Sequence, residues 1–132
     1  MTANALTTKL VYLVDALGSA ALGVLLIAFA GPLAGLFGPA LPATVLLVVG
    51  IGLLPWAAFN LWIGRRDGLP RSAATLNVVG DIGWIVASVA LVALAGSALT
   101  LVGVLAVAAI GLFVALVCAL KATGLRQAPA LA

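Results

Sequence analysis

Long apolar runs separated by short polar or proline-glycine punctuation set the pattern of this chain. No charged residue occurs from Ala16 to Gly64, and none from Ile82 to Leu120. A membrane-spanning helix needs roughly 20 predominantly apolar residues, because about 30 Å of hydrocarbon is crossed at 1.5 Å per residue. Four segments reach that length, at about 8–30, 42–64, 72–95 and 99–122. Gly31-Pro32 ends the first, since proline cannot continue a helix and glycine tolerates the turn. Pro42 opens the second as a favoured first-turn residue. Ser72 is the expected N-cap of the third, and Gly96-Ser97-Ala98 turns the chain into the fourth. The pattern therefore predicts an all-α fold, a single integral domain over 1–132 built as a four-transmembrane-helix bundle.

The basic residues give this bundle an orientation. Lys9 precedes the first span, Arg65, Arg66 and Arg71 lie between the second and third, and Lys121 and Arg126 end the fourth. The loops at 31–41 and 96–98 carry no charge. All six basic residues then fall on one side, which the positive-inside rule makes cytoplasmic, with both termini there. Shifting the span count by one would scatter them to both sides. The expected setting is a bacterial cytoplasmic (inner) membrane, crossed several times. The first apolar stretch is too long for the h-region of a cleavable signal peptide, and a second span follows it closely. The apolar outer loop from Gly31 to Pro42 must find partners for its backbone in headgroups, water or protein. Gln127 to Ala132 reads as a short flexible tail.

Polar residues inside the spans are costly and hence informative. The third span carries Asn77, Asp81, Trp84 and Ser88, whose spacings of four, three and four residues form one stripe. The first carries Thr8, Tyr12, Asp15 and Ser19 at the same spacing, and the second carries Trp56 and Asn60 one turn apart. Asp15 lies roughly 9 Å beyond Lys9, Asn60 roughly 8 Å beyond Arg65, Asn77 about 9 Å and Asp81 about 15 Å beyond Arg71. Turning these faces inward predicts one polar cluster in the cytoplasmic half: Tyr12, Asp15, Trp56, Asn60, Asn77, Asp81 and Trp84. No basic residue is expected to neutralise it, with Lys9, Arg65 and Lys121 reaching only its shallow end. The fourth span offers little polarity beyond Thr100 and Cys118. Its small residues Gly103, Gly111 and Ala115 suit close packing, within the bundle or against a partner.

Composition narrows the chemistry. With 66% hydrophobic and 7% charged residues, a soluble domain could not cover its own core. The net charge of +3 is a topology signal, since no basic patch interleaved with aromatics exists to bind nucleic acid. Histidine is absent and Cys118 is the one cysteine, so no disulfide, zinc site, His-ligated haem or histidine base is expected. Asp67 and Trp62 fit a solvated loop charge and an interfacial anchor. Neither catalytic residues nor a cofactor or metal site is predicted. An aspartyl dyad needs its carboxyls about 3 Å apart, whereas the depths of Asp15 and Asp81 differ by roughly 6 Å.

Leu17-Gly18 with Ala30-Gly31 echoes Ile82-Gly83 with Ala95-Gly96 at a constant offset, as two like-oriented hairpins would. The chain also resembles a group of small, uncharacterised four-helix integral membrane proteins of bacteria. The resemblance rests on Leu13-Val14-Asp15-Ala16-Leu17, Leu53-Leu54-Pro55 with Trp62 and Arg65-Arg66, Asn77 with Trp84 and Ala87-Ser88-Val89, and Gly124-Leu125-Arg126. It implies a four-helix fold and no particular activity. In size the chain is similar to the small multidrug resistance transporters, but it has Asp15 where those carry a first-helix glutamate, and Asn77 to Ser88 departs from their third-helix pattern.

Two functional expectations follow. One is a non-enzymatic structural or accessory subunit, with lipid and a homo-oligomer or larger membrane complex, engaged through the fourth helix, as partners. The other is a small proton- or cation-coupled transporter of a hydrophobic or cationic solute.

Overall fold

A computed structural model describes residues 3–128, and the expected tail beyond Ala128 lies outside them. The described residues form α1 (Ala3–Ala28), α2 (Ala30–Phe37), α3 (Ala43–Gly64), α4 (Arg71–Ala95), a 3-10 turn (Gly96–Ala98) and α5 (Leu101–Gln127). Four of these helices, α1, α3, α4 and α5, are long and apolar enough to cross a membrane. Their outward surfaces carry Leu17, Leu94, Leu101 and Leu112, all more than two-thirds exposed. Water does not tolerate so much aliphatic surface, and lipid does. These features are those of a multi-pass membrane protein.

The bundle is two hairpins joined along one seam. α1 packs most extensively on α3, α4 on α5, and α1 on α5 holds the pairs together, while α3 and α4 meet in few places. The α1–α3 crossing is tight because glycines face each other. A Cβ on Gly23 would stand 2.9 Å from the Gly50 carbonyl oxygen, and one on Gly50 the same distance from that of Gly23. Leu26, Leu46 and Leu53 form the buried apolar cluster beside this crossing.

The first hairpin is not a simple helix-loop-helix. The segment expected as the loop 31–41 contains α2, because Pro32 sits in the first turn of a new helix, where its missing N–H breaks no bond. The break before it falls at Phe29, whose ψ of 27° departs from helical geometry. Gly38 ends α2 with φ of 107°, a conformation that favours glycine. The backbone of this segment finds protein partners. Ala40 N–H donates to the Ala98 carbonyl at 2.9 Å, and Thr100 N–H to that of Phe37 at 2.9 Å. The Thr100 hydroxyl donates to the Leu36 carbonyl at 2.6 Å and accepts from Gly103 N–H at 3.0 Å, capping α5.

Helix ends also differ from the sequence expectation. α4 begins at Arg71 after Pro70, without a side-chain cap, so Ser72 is a first-turn residue and not the N-cap. α5 runs on to Gln127, more than a turn past the expected end near 122. At this end of α5 the Arg71 guanidinium donates to the Leu125 and Ala128 carbonyls, both at 3.2 Å, fastening α4 to α5. The glycines of α5 face inward. A Cβ on Gly103 would collide with the Phe37 carbonyl, and one on Gly111 would touch Ser88 at 3.7 Å, so this stripe serves the bundle.

Candidate functional site: an ion triad below an apolar cavity

All four long helices contribute to a buried polar ladder in the half of the bundle nearer the α3–α4 connection. The ladder begins on α3, where the Asn60 amide donates to the Trp56 carbonyl at 3.0 Å. Asn77 on α4 donates its amide to Asn60 Oδ1 at 3.3 Å. Its own Oδ1 accepts from the Lys121 ammonium on α5 at 2.8 Å. Lys121 Nζ also donates to Asp81 Oδ2 at 2.8 Å and to Asp15 Oδ2 at 2.5 Å. Ser19 donates to the second Asp15 oxygen at 3.2 Å. An ammonium has three hydrogens, and here each has an acceptor.

Lys121 is wholly buried, with 0% exposure, and corrects the expectation that no basic residue neutralises the aspartates. The reason is helix polarity. Every Cα–Cβ bond tilts toward the helix N-terminus, and the N-terminus of α5 lies at the far end of the bundle, beside the 3-10 turn. The Lys121 stem therefore reaches back toward the membrane centre instead of out to the border. Lys9, Arg65, Arg66, Arg71 and Arg126 remain as partly or fully exposed basic residues at the end where α5 finishes. The expected difference in depth between Asp15 and Asp81 does not keep them apart, since one ammonium binds both.

Of the residues predicted from sequence, Tyr12, Asp15, Asn60, Asn77 and Asp81 are all buried around Lys121. The Tyr12 ring lies 5.0 Å from Lys121 Nζ, within cation–π range, while its hydroxyl is buried and has no hydrogen-bond partner among the described residues. Trp56 and Trp84 occupy a different place: they line a cavity with Asp15 and Asp81, and the Trp84 indole N–H is likewise unpartnered. Lys121 was missed, although it lies about five helical turns from Gly103 at 3.6 residues per turn, on the same inward face. That shared face was the available signal.

The cavity measures about 660 Å³ and is walled by all four long helices. Its wall is almost wholly apolar: Leu22, Val49, Leu53, Ile110, Phe113 and Val114, together with the two tryptophans. Asp15, Ser19 and Asp81 supply the polar portion, and Lys121 stands behind them, off the wall. Asp81 is 2% exposed, and among the described residues its Oδ1 accepts no hydrogen bond. The ring of Trp56 lies against Gly80, where a Cβ would collide with it, and so closes α3 onto α4 beside the charged floor.

Two carboxylates share one ammonium at the floor of this cavity, so the set is neutral with one carboxyl protonated and carries one negative charge once that proton leaves. Such an arrangement can hold a proton or a cation whose remaining surface is apolar. Among the described residues no group of His, Cys, Asp and Glu has metal-binding geometry. The fold and site thus define a class, a four-span helical bundle with a membrane-buried ion triad beneath an apolar aromatic cavity. No protein-family model, curated protein or solved structure matches this chain.

Proposed function

We propose that this protein is a non-enzymatic, multi-pass transporter of the bacterial cytoplasmic membrane, with both termini cytoplasmic. It takes a hydrophobic cationic solute into the central cavity and exchanges it against a proton or small cation at the Asp15–Asp81 pair. Of the two functions expected from the sequence, the transporter is better supported. The observation that carries it is the pairing of two carboxyl groups with a single ammonium at the floor of a cavity of about 660 Å³. That volume falls within the roughly 300–1,000 Å³ of small-molecule sites. A purely mechanical strut needs neither the space nor the surplus carboxyl. A carboxyl group this deep without an ammonium of its own is costly and marks a functional site by default. The five exposed or half-exposed basic residues at one end support the orientation.

One observation favours the accessory-subunit reading. From Asn60 through Asn77 to Lys121 the ladder is hydrogen-bonded at every step and ties α3, α4, α5 and α1 together. Binding separates the two readings. In lipid nanodiscs, tetraphenylphosphonium should change the emission of Trp56 and Trp84 saturably, with Trp62→Phe removing the third tryptophan's signal. Asp81→Asn should weaken that binding at least tenfold while the protein stays folded. An accessory subunit would show no saturable change and would tolerate Asp81→Asn.

A further inference from the structure

We infer that Lys121 sets the charge selectivity of the cavity, so that its ligand is a singly charged cation with a bulky apolar body. The inference rests on the transporter reading above and extends it to the valence of the solute. Lys121 touches both carboxylates and Asn77 but does not line the cavity. It therefore changes the charge of the floor without meeting the ligand. Two carboxylates alone would present two negative charges, and one fixed ammonium cancels one of them.

The ammonium is not free to leave. All three of its hydrogens are engaged, its side chain has no exposed surface, and the Tyr12 ring packs over it. A monocation brought to Asp81 Oδ1, the oxygen without a protein partner, brings the floor to neutrality. A dication leaves an excess positive charge in an apolar enclosure, next to the ammonium. A neutral molecule has no charge to exchange for the proton and gains nothing from the floor. In a low-dielectric site each mismatch is heavily penalised. The apolar, tryptophan-bearing wall selects the rest of the molecule, since aromatic faces attract organic cations.

The test compares two ligands of similar shape, N-benzyl-4-phenylpyridinium with one charge and benzyl viologen with two. Binding is measured by titration calorimetry on protein in nanodiscs, with empty nanodiscs subtracted. Wild type should bind the monocation at least tenfold more tightly than the dication. In Lys121→Met, with a dianionic floor, the preference should reverse. An unchanged ratio in a folded Lys121→Met protein overturns the inference.

If Lys121→Met does not fold, a charge-restoring pair decides. Asp15→Asn alone gives a neutral floor and should lose at least tenfold in monocation affinity. Asp15→Asn with Lys121→Met returns the floor to one negative charge and should regain most of that loss. A double variant no better than Asp15→Asn overturns the inference. Equal binding of both ligands by wild type overturns it while leaving the transporter reading intact. Binding of neither ligand overturns both.

Discussion

Replacing Lys121 by methionine removes the bundle's central donor while roughly preserving the length of its apolar stem. Three hydrogen bonds disappear, to Asp15 at 2.5 Å and to Asn77 and Asp81 at 2.8 Å. Two carboxylates with 3% and 2% residue exposure lose their counter-ion. Removing one partner of a buried ion pair costs about 3–5 kcal/mol, because the charge left behind is uncompensated. A neutral interhelical hydrogen bond in a membrane is worth about 0.6 kcal/mol, which sets the scale for the Asn60–Asn77 bond. The two effects differ several-fold, and that difference is the prediction. Unfolding in mixed SDS micelles, followed by far-UV circular dichroism, should show Lys121→Met destabilised by about 3–5 kcal/mol and Asn60→Ala by far less. Adding Asp15→Asn and Asp81→Asn to Lys121→Met should recover most of the loss, since an isosteric neutral set leaves no orphaned charge. A Lys121→Met protein no less stable than Asn60→Ala would refute the ion triad as the centre of the fold.

Other expectations address the frame around the triad. Gly23→Ala places a Cβ 2.9 Å from the Gly50 carbonyl oxygen and should cost about 1–3 kcal/mol in the same unfolding assay. Gly31→Ala meets nothing within 4 Å inside a helix and should be neutral or slightly stabilising. Thr100→Val removes both the cap on Gly103 and the bond to Leu36, a loss of about 1–2 kcal/mol by the same assay. For orientation, cysteines at Asp67 and Gly35 in a Cys118→Ser background should label from opposite sides of intact cells. Asp67→Cys should be reached from the cytoplasm only, and labelling from outside would reverse the topology.

The spans were legible because their signal is coarse: apolar length against the thickness of a bilayer. The inward stripes were legible because an aspartate or asparagine has few reasons to occupy a span other than burial against a partner. Lys121 was hidden because the same residue type at a helix end serves as a border marker. Only the direction of its Cβ bond, set by which end of α5 faces inward, separates the two roles. α2 was hidden because Gly31-Pro32 reads as the end of one helix but sits in the first turn of the next, and punctuation alone does not tell these apart. The cavity was least legible. It arises from the loose meeting of α3 with α4, a consequence of how two hairpins pack rather than of either hairpin's own sequence.

The central claim is that the Asp15–Lys121–Asp81 triad carries one exchangeable charge facing the cavity. Infrared difference spectroscopy in lipid, recorded as tetraphenylphosphonium is added near neutral pH, tests this most directly. The account predicts loss of a protonated carboxyl band and a gain in carboxylate absorption in step with binding, both absent in Asp81→Asn. Saturable binding with no change in either region, or a change that survives in Asp81→Asn, would contradict it.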